Sequence, residues 1–280
     1  MGFTPDPVAF TVFGIDIRWY AVIICTGMLL ASLIAYYRAP RHGIDSEDLL
    51  DVLLCGIPAG IVGARAWYVI CNIHYYDTFK EIINIRSGGL AIHGGLILGL
   101  SVAAIVCKVK KLNILEVIDL AVPSIALGQA IGRWGNYFNS EAYGSPTDLP
   151  WAITIDGVKV HPTFLYESIW CLILFVLLSR ILKNKKFNGQ ILCLYAALYS
   201  LERFFVEQLR TDSLLTGPTR LVEALQAVGY DPTLVDGVLH VGDFLIFPCK
   251  TAQLISVLGI VLGLGVYIIL NKKHKAEKLR

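Results

Sequence analysis

The chain alternates long apolar runs with short polar connections. Seven runs have the length of a membrane-spanning helix, at about 19–37, 49–71, 89–107, 114–132, 163–182, 188–206 and 251–270. A bilayer core of ~30 Å needs roughly 20 apolar helical residues. The pattern therefore predicts an all-α polytopic membrane protein with about seven transmembrane helices. Spans two, four and six carry interior Gly or Pro (Gly56, Pro58, Gly60 and Gly63; Pro123 and Gly128; Gly189). Packed membrane helices tolerate these because neighbours re-satisfy the backbone. The first span has no basic n-region before it and no A-x-A-like site after it, so it is expected to be retained rather than cleaved.

Three of the connections are long: 72–88, 133–162 and 207–250. Turn chemistry recurs in them, as Ser87-Gly88-Gly89, Gly144-Ser145-Pro146, Gly217-Pro218, Asp231-Pro232 and Asp236-Gly237. Segment 219–228 fits a short amphipathic helix, and 233–247 fits short strands around Asp236-Gly237. The expected architecture is a single integral membrane domain, 1–280, whose three insertions build a small outward-facing α/β head. No internal repeat suggests the paired halves of an inverted-repeat transporter.

Composition agrees with the pattern. The 280 residues are 55% hydrophobic and 16% charged, against about 25% charged in soluble domains, and mean hydropathy is +0.62. A net charge of +2 is too small to point to nucleic acid, but its distribution is informative. The short connections 38–48, 108–113 and 180–187 and the C-terminal tail hold fourteen of the 24 Lys and Arg residues. Positive-inside counting puts these connections in the cytoplasm, the N-terminus outside and the C-terminus inside. The cysteines show no C-x-x-C pair and read as small buried apolar residues; a Cys71–Cys249 disulfide near the outer face is conceivable on depth alone.

That orientation gives each intramembrane charge a depth. Tyr20, Arg65, His93, Arg133, Asn136, Glu141, His161, Glu167, Arg203 and Glu207 all map to the outer side. Arg133, Asn136 and Glu141 follow the outer end of span four, whereas Glu116 and Asp119 open that span from the inside. A central charge costs at least ~2.5–3.5 kcal/mol on insertion scales, so such residues usually have a task. Singly, each has a plainer reading. Tyr20 fits an aromatic-belt anchor. Arg65 fits a snorkelling side chain as well as a functional one. Arg203 and Glu207 fit an i, i+4 ion pair. The glycines around His93 fit close helix packing, and His161 fits a helix cap. Together, arginines and carboxylates at headgroup depth suit a phosphate, which guanidinium forks match in a bidentate way. A histidine there is suited to accepting a proton.

Five strings are more specific. GRWGNYFNSEAYG (132–144), GGLAIHGGLILG (88–99), GARAWYV (63–69), HPTFLYE (161–167) and RFFVEQLRTDS (203–213) resemble, in order, the sequence blocks of the prolipoprotein diacylglyceryl transferase family. The resemblance implies a bacterial enzyme of the cytoplasmic (inner) membrane. Its reaction moves the diacylglyceryl group of phosphatidylglycerol to the thiol of a lipobox cysteine in a prolipoprotein that still carries its signal peptide. A thioether forms and glycerol phosphate leaves, with no metal or organic cofactor. By matched position, His93, Arg133, Arg203 and Glu207 are the expected catalytic residues. Asn136, Glu141, Gly144, Tyr20 and Glu167, with Arg133, are the expected phosphatidylglycerol contacts. Glu207 is expected to orient Arg203, and Glu141 with Asn136 to fix Arg133 or the glycerol hydroxyls. The chain departs from the family at Ser140, where Gly is common, at Phe164, where Gln is common, and in about thirty additional residues between Leu215 and Lys250.

Two other classes compete. A phospholipid or anion transporter would line a pathway with its arginines, but would need polar groups at several depths. An intramembrane metalloprotease would need H-E-x-x-H or an equivalent, and no such motif occurs, although His93, His161 and Glu167 are zinc-type ligands.

Overall fold

In the computed structural model, residues 5–85, 88–211, 215–216, 233–235, 238–241, 244–246 and 249–278 are described. Seven long helices run through them: α1 (Trp19–Arg38), α2 (Ser46–Cys71), α4 (Ile92–Val109), α5 (Ile114–Phe138), α6 (Thr163–Leu182), α7 (Gln190–Leu209) and α8 (Thr251–Lys278), with a short α3 (Phe79–Ile83) between α2 and α4. Six of the seven are long and apolar enough to cross a membrane. The remaining helix, α7, is 20 residues long but carries Glu202, Arg203 and Glu207, which lower its apolar character. The protein is an all-α polytopic membrane protein with small strand elements.

The helix ends follow local chemistry. Asp45 caps α2 by accepting from the Glu47 amide at 2.8 Å. Gly88 and Gly89 take left-handed φ of 85° and 78°, so α4 begins at Ile92 and not at 89 as the apolar run predicts. Helix α5 runs six residues past the predicted end, to Phe138, so Arg133 and Asn136 ride on the helix and only Glu141 follows it. An unbroken helical backbone tolerates these polar residues because their side chains find partners, as described below.

The strands are small antiparallel pairs. β1 (Val8–Val12) and β2 (Ile15–Arg18) form a hairpin around Phe13-Gly14, and β3 (Ile153–Ile155) and β4 (Val158–Val160) another around Asp156-Gly157. In both turns the two central residues have positive φ (50° and 75°; 49° and 82°), as a two-residue hairpin loop demands. β5 (Leu215–Thr216) pairs with β9 (Cys249–Lys250), while β6 (Thr233–Val235), β7 (Val238–Val241) and β8 (Phe244–Ile246) form a three-stranded antiparallel meander, the short strands expected in 233–247; Asp236-Gly237 lies outside the described residues. The proposed helix at 219–228 and the Cys249 side chain lie outside the described residues. The Lys250 ammonium donates to the carbonyls of Glu207 (2.6 Å), Gln208 (3.3 Å) and Arg210 (2.8 Å), capping the C-terminal end of α7.

The chain divides into two compact units, Met1–Leu30 with Val122–Arg280, and Ala31–Ala121. In the smaller unit α2 and α4 pack antiparallel on glycines. A Cβ at Gly56 would meet Ala103, one at Gly60 the Gly95 carbonyl, and one at Gly63 the Gly94 carbonyl and Leu98 Cβ. The backbones touch because lipid offers no hydrophobic drive for helix association, leaving close van der Waals contact as the main attraction. The N-terminal end of α2 meets the connection after α4 through Lys110, whose ammonium lies 2.5 Å from Asp51 and 2.9 Å from Asp48. These carboxylates, Asp51 foremost, hold its pKa above the usual lysine range.

In the larger unit successive neighbours are antiparallel. Gly27 of α1 lies on Gly128 of α5, the Ser168 hydroxyl of α6 donates to Ala130 O of α5 at 2.8 Å, and Trp170 Nε1 of α6 donates to Leu198 O of α7 at 3.1 Å. Gly259 and Gly263 of α8 lie against Ser200, Cys193 and Ala197 of α7. The N-termini of α1 and α6 and the C-termini of α5 and α7 therefore share one end of this unit. The loop after α5 turns through Ser140 and Ala142 with left-handed φ of 52° and 56°.

Three stability expectations follow. A methyl group at Gly94 would run into Gly63 O and Trp67 Cβ, whereas one at Gly265 meets nothing within 4 Å. Gly94→Ala is expected to cost about 1–3 kcal/mol in reversible unfolding in mild detergent, with Gly265→Ala neutral or slightly stabilising. Ser140→Gly removes an L-residue from a left-handed position and is expected to raise stability by roughly 0.5–1 kcal/mol in the same assay.

Candidate active site

An ionic cluster stands at the shared end of the larger unit. Glu167 lies one turn into α6, and its carboxylate is the centre of the cluster. Arg203 Nη1, from α7, donates to Glu167 Oε1 at 2.7 Å, and Arg133 Nε, from α5, pairs with Glu167 Oε2. Arg203 Nη2 also donates to Glu207 Oε2 at 2.5 Å, one turn further along α7. Three helices are thus joined by a carboxylate shared between two guanidinium groups.

Burial in this cluster is uneven. The Glu167 and Glu207 side chains are 3% and 4% exposed, those of Arg133 and Arg203 22% and 17%. The carboxylates sit behind, and the arginines remain partly open in front. Arg133 Nη2 also donates to the Tyr199 hydroxyl at 3.2 Å. A guanidinium has five N–H donors, so each arginine keeps several beyond these bonds. Charge-assisted pairing of this kind compensates the cost of keeping charge in an apolar helix layer. It also pre-orients two cationic forks, which is what binding a phosphate requires.

The other expected contacts cluster nearby by distinct routes. Asn136 Nδ2 and Asn139 Nδ2 both donate to Glu141 Oε1, at 3.0 and 3.2 Å. Glu141 is therefore held by asparagines, and Arg133 is fixed by Glu167 and Tyr199 rather than by Glu141 and Asn136. The Tyr20 ring lies against Gly135, where an added Cβ would come within 2.6 Å of Cδ2. Tyr20 is also within electrostatic range of Glu141 and Arg133. Gly144 is a point of close backbone approach. Its amide donates to His161 O at 2.9 Å, and a Cβ would stand 2.7 Å from His161 Cβ and 3.0 Å from Leu209 O. With Ser145 N donating to Leu209 O at 2.7 Å and Thr163 Oγ1 to Ala142 O, this stretch ties the end of the signature block to α6 and α7. His161 serves the same tie through its backbone, while its ring nitrogen Nδ1 meets the Tyr166 hydroxyl at 3.2 Å.

His93 and Arg65 belong to the smaller unit. His93 is the second residue of α4 and is exposed. Arg65 is 6% exposed, and its donors go to backbone carbonyls: Nε to Ile82 (2.7 Å), Nη2 to Glu81 (2.7 Å), and Nη1 to Gly88 (2.9 Å) and Gly89 (3.0 Å). This is neither a snorkelling group nor an open anion ligand. Among the described residues, no group of three or more His, Cys, Asp and Glu side chains is arranged to hold a metal ion, and both Glu167 oxygens face arginines.

Sequence reasoning missed four contributors. Tyr199 stacks on Tyr195 at 5.4 Å, and Tyr195 donates to Gln129 at 2.6 Å, extending the polar network across α5 and α7. Ser168 accepts from Trp134 Nε1 at 3.2 Å. Glu202, 7% exposed and within electrostatic range of Glu167, Arg203 and Arg133, has neither carboxyl oxygen hydrogen-bonded among the described residues. A third carboxyl in the span that already holds Arg203 and Glu207 was the available signal for Glu202. The tyrosines carried none, being ordinary membrane-helix residues.

The family model described as prolipoprotein diacylglyceryl transferase matches residues 7–269. A phosphatidylglycerol–prolipoprotein diacylglyceryl transferase of Clostridioides difficile (strain 630) is 45% identical over 271 residues, covering 96% of this chain and 97% of the relative. One from Finegoldia magna is 55% identical over 218 residues, covering 77% and 88%. One from Clostridium perfringens (strain 13 / Type A), numbered 1 of its kind, is 38% identical over 285 residues, covering 98% and 97%. With nearly the whole chain matched and the ionic cluster built from the matched blocks, the chain belongs to the prolipoprotein diacylglyceryl transferase family.

Proposed function

We propose that this protein transfers the diacylglyceryl group of phosphatidylglycerol to the thiol of a lipobox cysteine in prolipoproteins, at the outer side of a bacterial cytoplasmic membrane. The observation that carries the reading is the Glu167-centred pair of arginines, partly open and with unused donors, inside a bundle of membrane helices. The names of the relatives supply the lipid and the protein substrate. The distribution of Lys and Arg supports an outside N-terminus and a cytoplasmic C-terminus.

The chemistry is a displacement at carbon. The lipobox thiol gives its proton to a base, for which His93 is the candidate by its matched position. The thiolate attacks the glyceryl carbon bonded to the phosphate oxygen. A C–S bond forms, the C–O bond breaks, and glycerol phosphate leaves with the electron pair. Free thiols ionise near pH 8.5, so an acceptor for that proton is needed at neutral pH. Arg133 and Arg203 hold the phosphate and stabilise charge growing on the departing oxygen. Glu167 and Glu207 fix the guanidinium planes before the substrate arrives, so little reorganisation remains for the reaction itself. Tyr20, Asn136 and Glu141 line the same end and serve the glycerol headgroup, and Gly144 lets the backbone come close enough to close the loop.

The direct test is one reaction: purified full-length protein, phosphatidylglycerol vesicles and a lipobox peptide carrying Cys or Ser. A diacylglyceryl mass gain on the Cys peptide alone is expected. No gain, with labelled lipid moving between leaflets, would favour a transporter. Arg133→Lys keeps the charge and loses the fork, and is expected to reduce kcat on the order of 100–1,000-fold; wild-type turnover would show that a point charge suffices. His93→Ala is expected to nearly abolish thioether formation.

A further inference from the structure

We infer that Arg65 is a positioning residue for the reaction: it sets the start of α4, and through it His93, by clamping the chain between α3 and α4 onto α2. This rests on the reading of His93 as the base that receives the thiol proton. Four of the guanidinium's five N–H groups are engaged by the carbonyls of Glu81, Ile82, Gly88 and Gly89. Its face lies 5.1 Å from the centroid of Tyr76. No carboxylate takes part in these bonds. A charge kept in the apolar zone is thus bound wholly to main-chain dipoles, from both ends of one connection.

That connection ends at His93. Gly88 and Gly89 are held in left-handed conformations, the Ala91 amide donates to Ala64 O at 2.9 Å, and α4 starts at the next residue. Residues 64 and 65 of α2 therefore fix three anchor points within five residues of His93. The contact is tight: a Cβ on Gly89 would stand 2.5 Å from Arg65 Nη1 and 2.8 Å from Tyr68 Cε1. At the next residue, the glycine contact of Gly94 with Gly63 locks the register of the helix itself. Among the described residues the His93 side chain makes no hydrogen bond or ion pair, so its ring is placed by this backbone frame. A lysine at 65 keeps the charge and offers a single ammonium, which cannot reach carbonyls at both ends of the connection with the planar fork's geometry.

The test uses full-length protein in phosphatidylglycerol vesicles, with lipobox peptides carrying cysteine or, at the same position, selenocysteine. A selenol is ionised at neutral pH and needs no base. Arg65→Lys is expected to lower kcat with the cysteine peptide roughly 10–100-fold and to leave the KM for phosphatidylglycerol within about twofold. The selenocysteine peptide should restore Arg65→Lys and His93→Ala alike, and should not restore Arg133→Lys. Gly89→Ala, which pushes the same connection off Arg65 without removing it, should behave as Arg65→Lys, and carries the test if Arg65→Lys does not fold. A loss in Arg65→Lys that is equal for both peptides, while His93→Ala is rescued, overturns the positioning role and leaves the base reading intact. So does a raised KM with kcat unchanged. Full activity of His93→Ala on cysteine overturns both.

Discussion

A carboxylate shared between two guanidinium groups, in a layer that water reaches poorly, is the interaction on which the larger unit depends. Each Glu167 oxygen faces one arginine, Oε2 Arg133 and Oε1 Arg203, and a guanidinium in an apolar helix layer is costly without an anion beside it. Removing one member of such a group leaves an uncompensated buried charge, typically about 3–5 kcal/mol. The arrangement therefore couples folding to function. The contacts that let α5, α6 and α7 associate at this end also aim the arginines. The partial exposure of the guanidinium groups beside nearly buried carboxylates gives the cluster a direction, with its anionic side toward the protein interior and its cationic side more open.

The smaller unit solves the same problem differently. It has a buried arginine with no acid among its bonds, satisfied by four carbonyls, and a helix pair held by glycine backbones. One unit is built on charge pairing and the other on main-chain dipoles and close packing. Both are ways of meeting the demand that polar groups in lipid be satisfied internally.

Much of this was legible in the sequence. Apolar run length located all seven helices, because in lipid the length requirement overrides local propensity. Ends were misjudged where another term won: left-handed Gly88 and Gly89 delayed α4, and side-chain partners for Arg133 and Asn136 let α5 continue past its apolar stretch. The hairpins at Phe13-Gly14 and Asp156-Gly157 were overlooked, although Asp-Gly between β-branched residues is a hairpin signal. The charged members of the cluster could be found because ionisable residues are costly in spans. Who pairs with whom could not, since Arg133 choosing Glu167 over Glu141 depends on how three helices meet. Arg65 was ambiguous for the same reason: its partners are carbonyls, which every residue has.

The bond set of Lys250 bears on how the chain tolerates change. This lysine follows a stretch of some forty residues, yet its ammonium returns to the last carbonyls of α7, and β9 pairs with β5 at the start of that stretch. The two ends of the excursion are therefore stapled side by side just beyond Glu207. A loop whose ends already meet can be lengthened at an entropic cost that grows only logarithmically, with each doubling costing about 0.6 kcal/mol. The excursion is topologically a cassette: a change in its length leaves the arginine-bearing helix capped from the far side of the insert. The position of the last turn of α7 thus does not depend on the length of chain between β5 and β9.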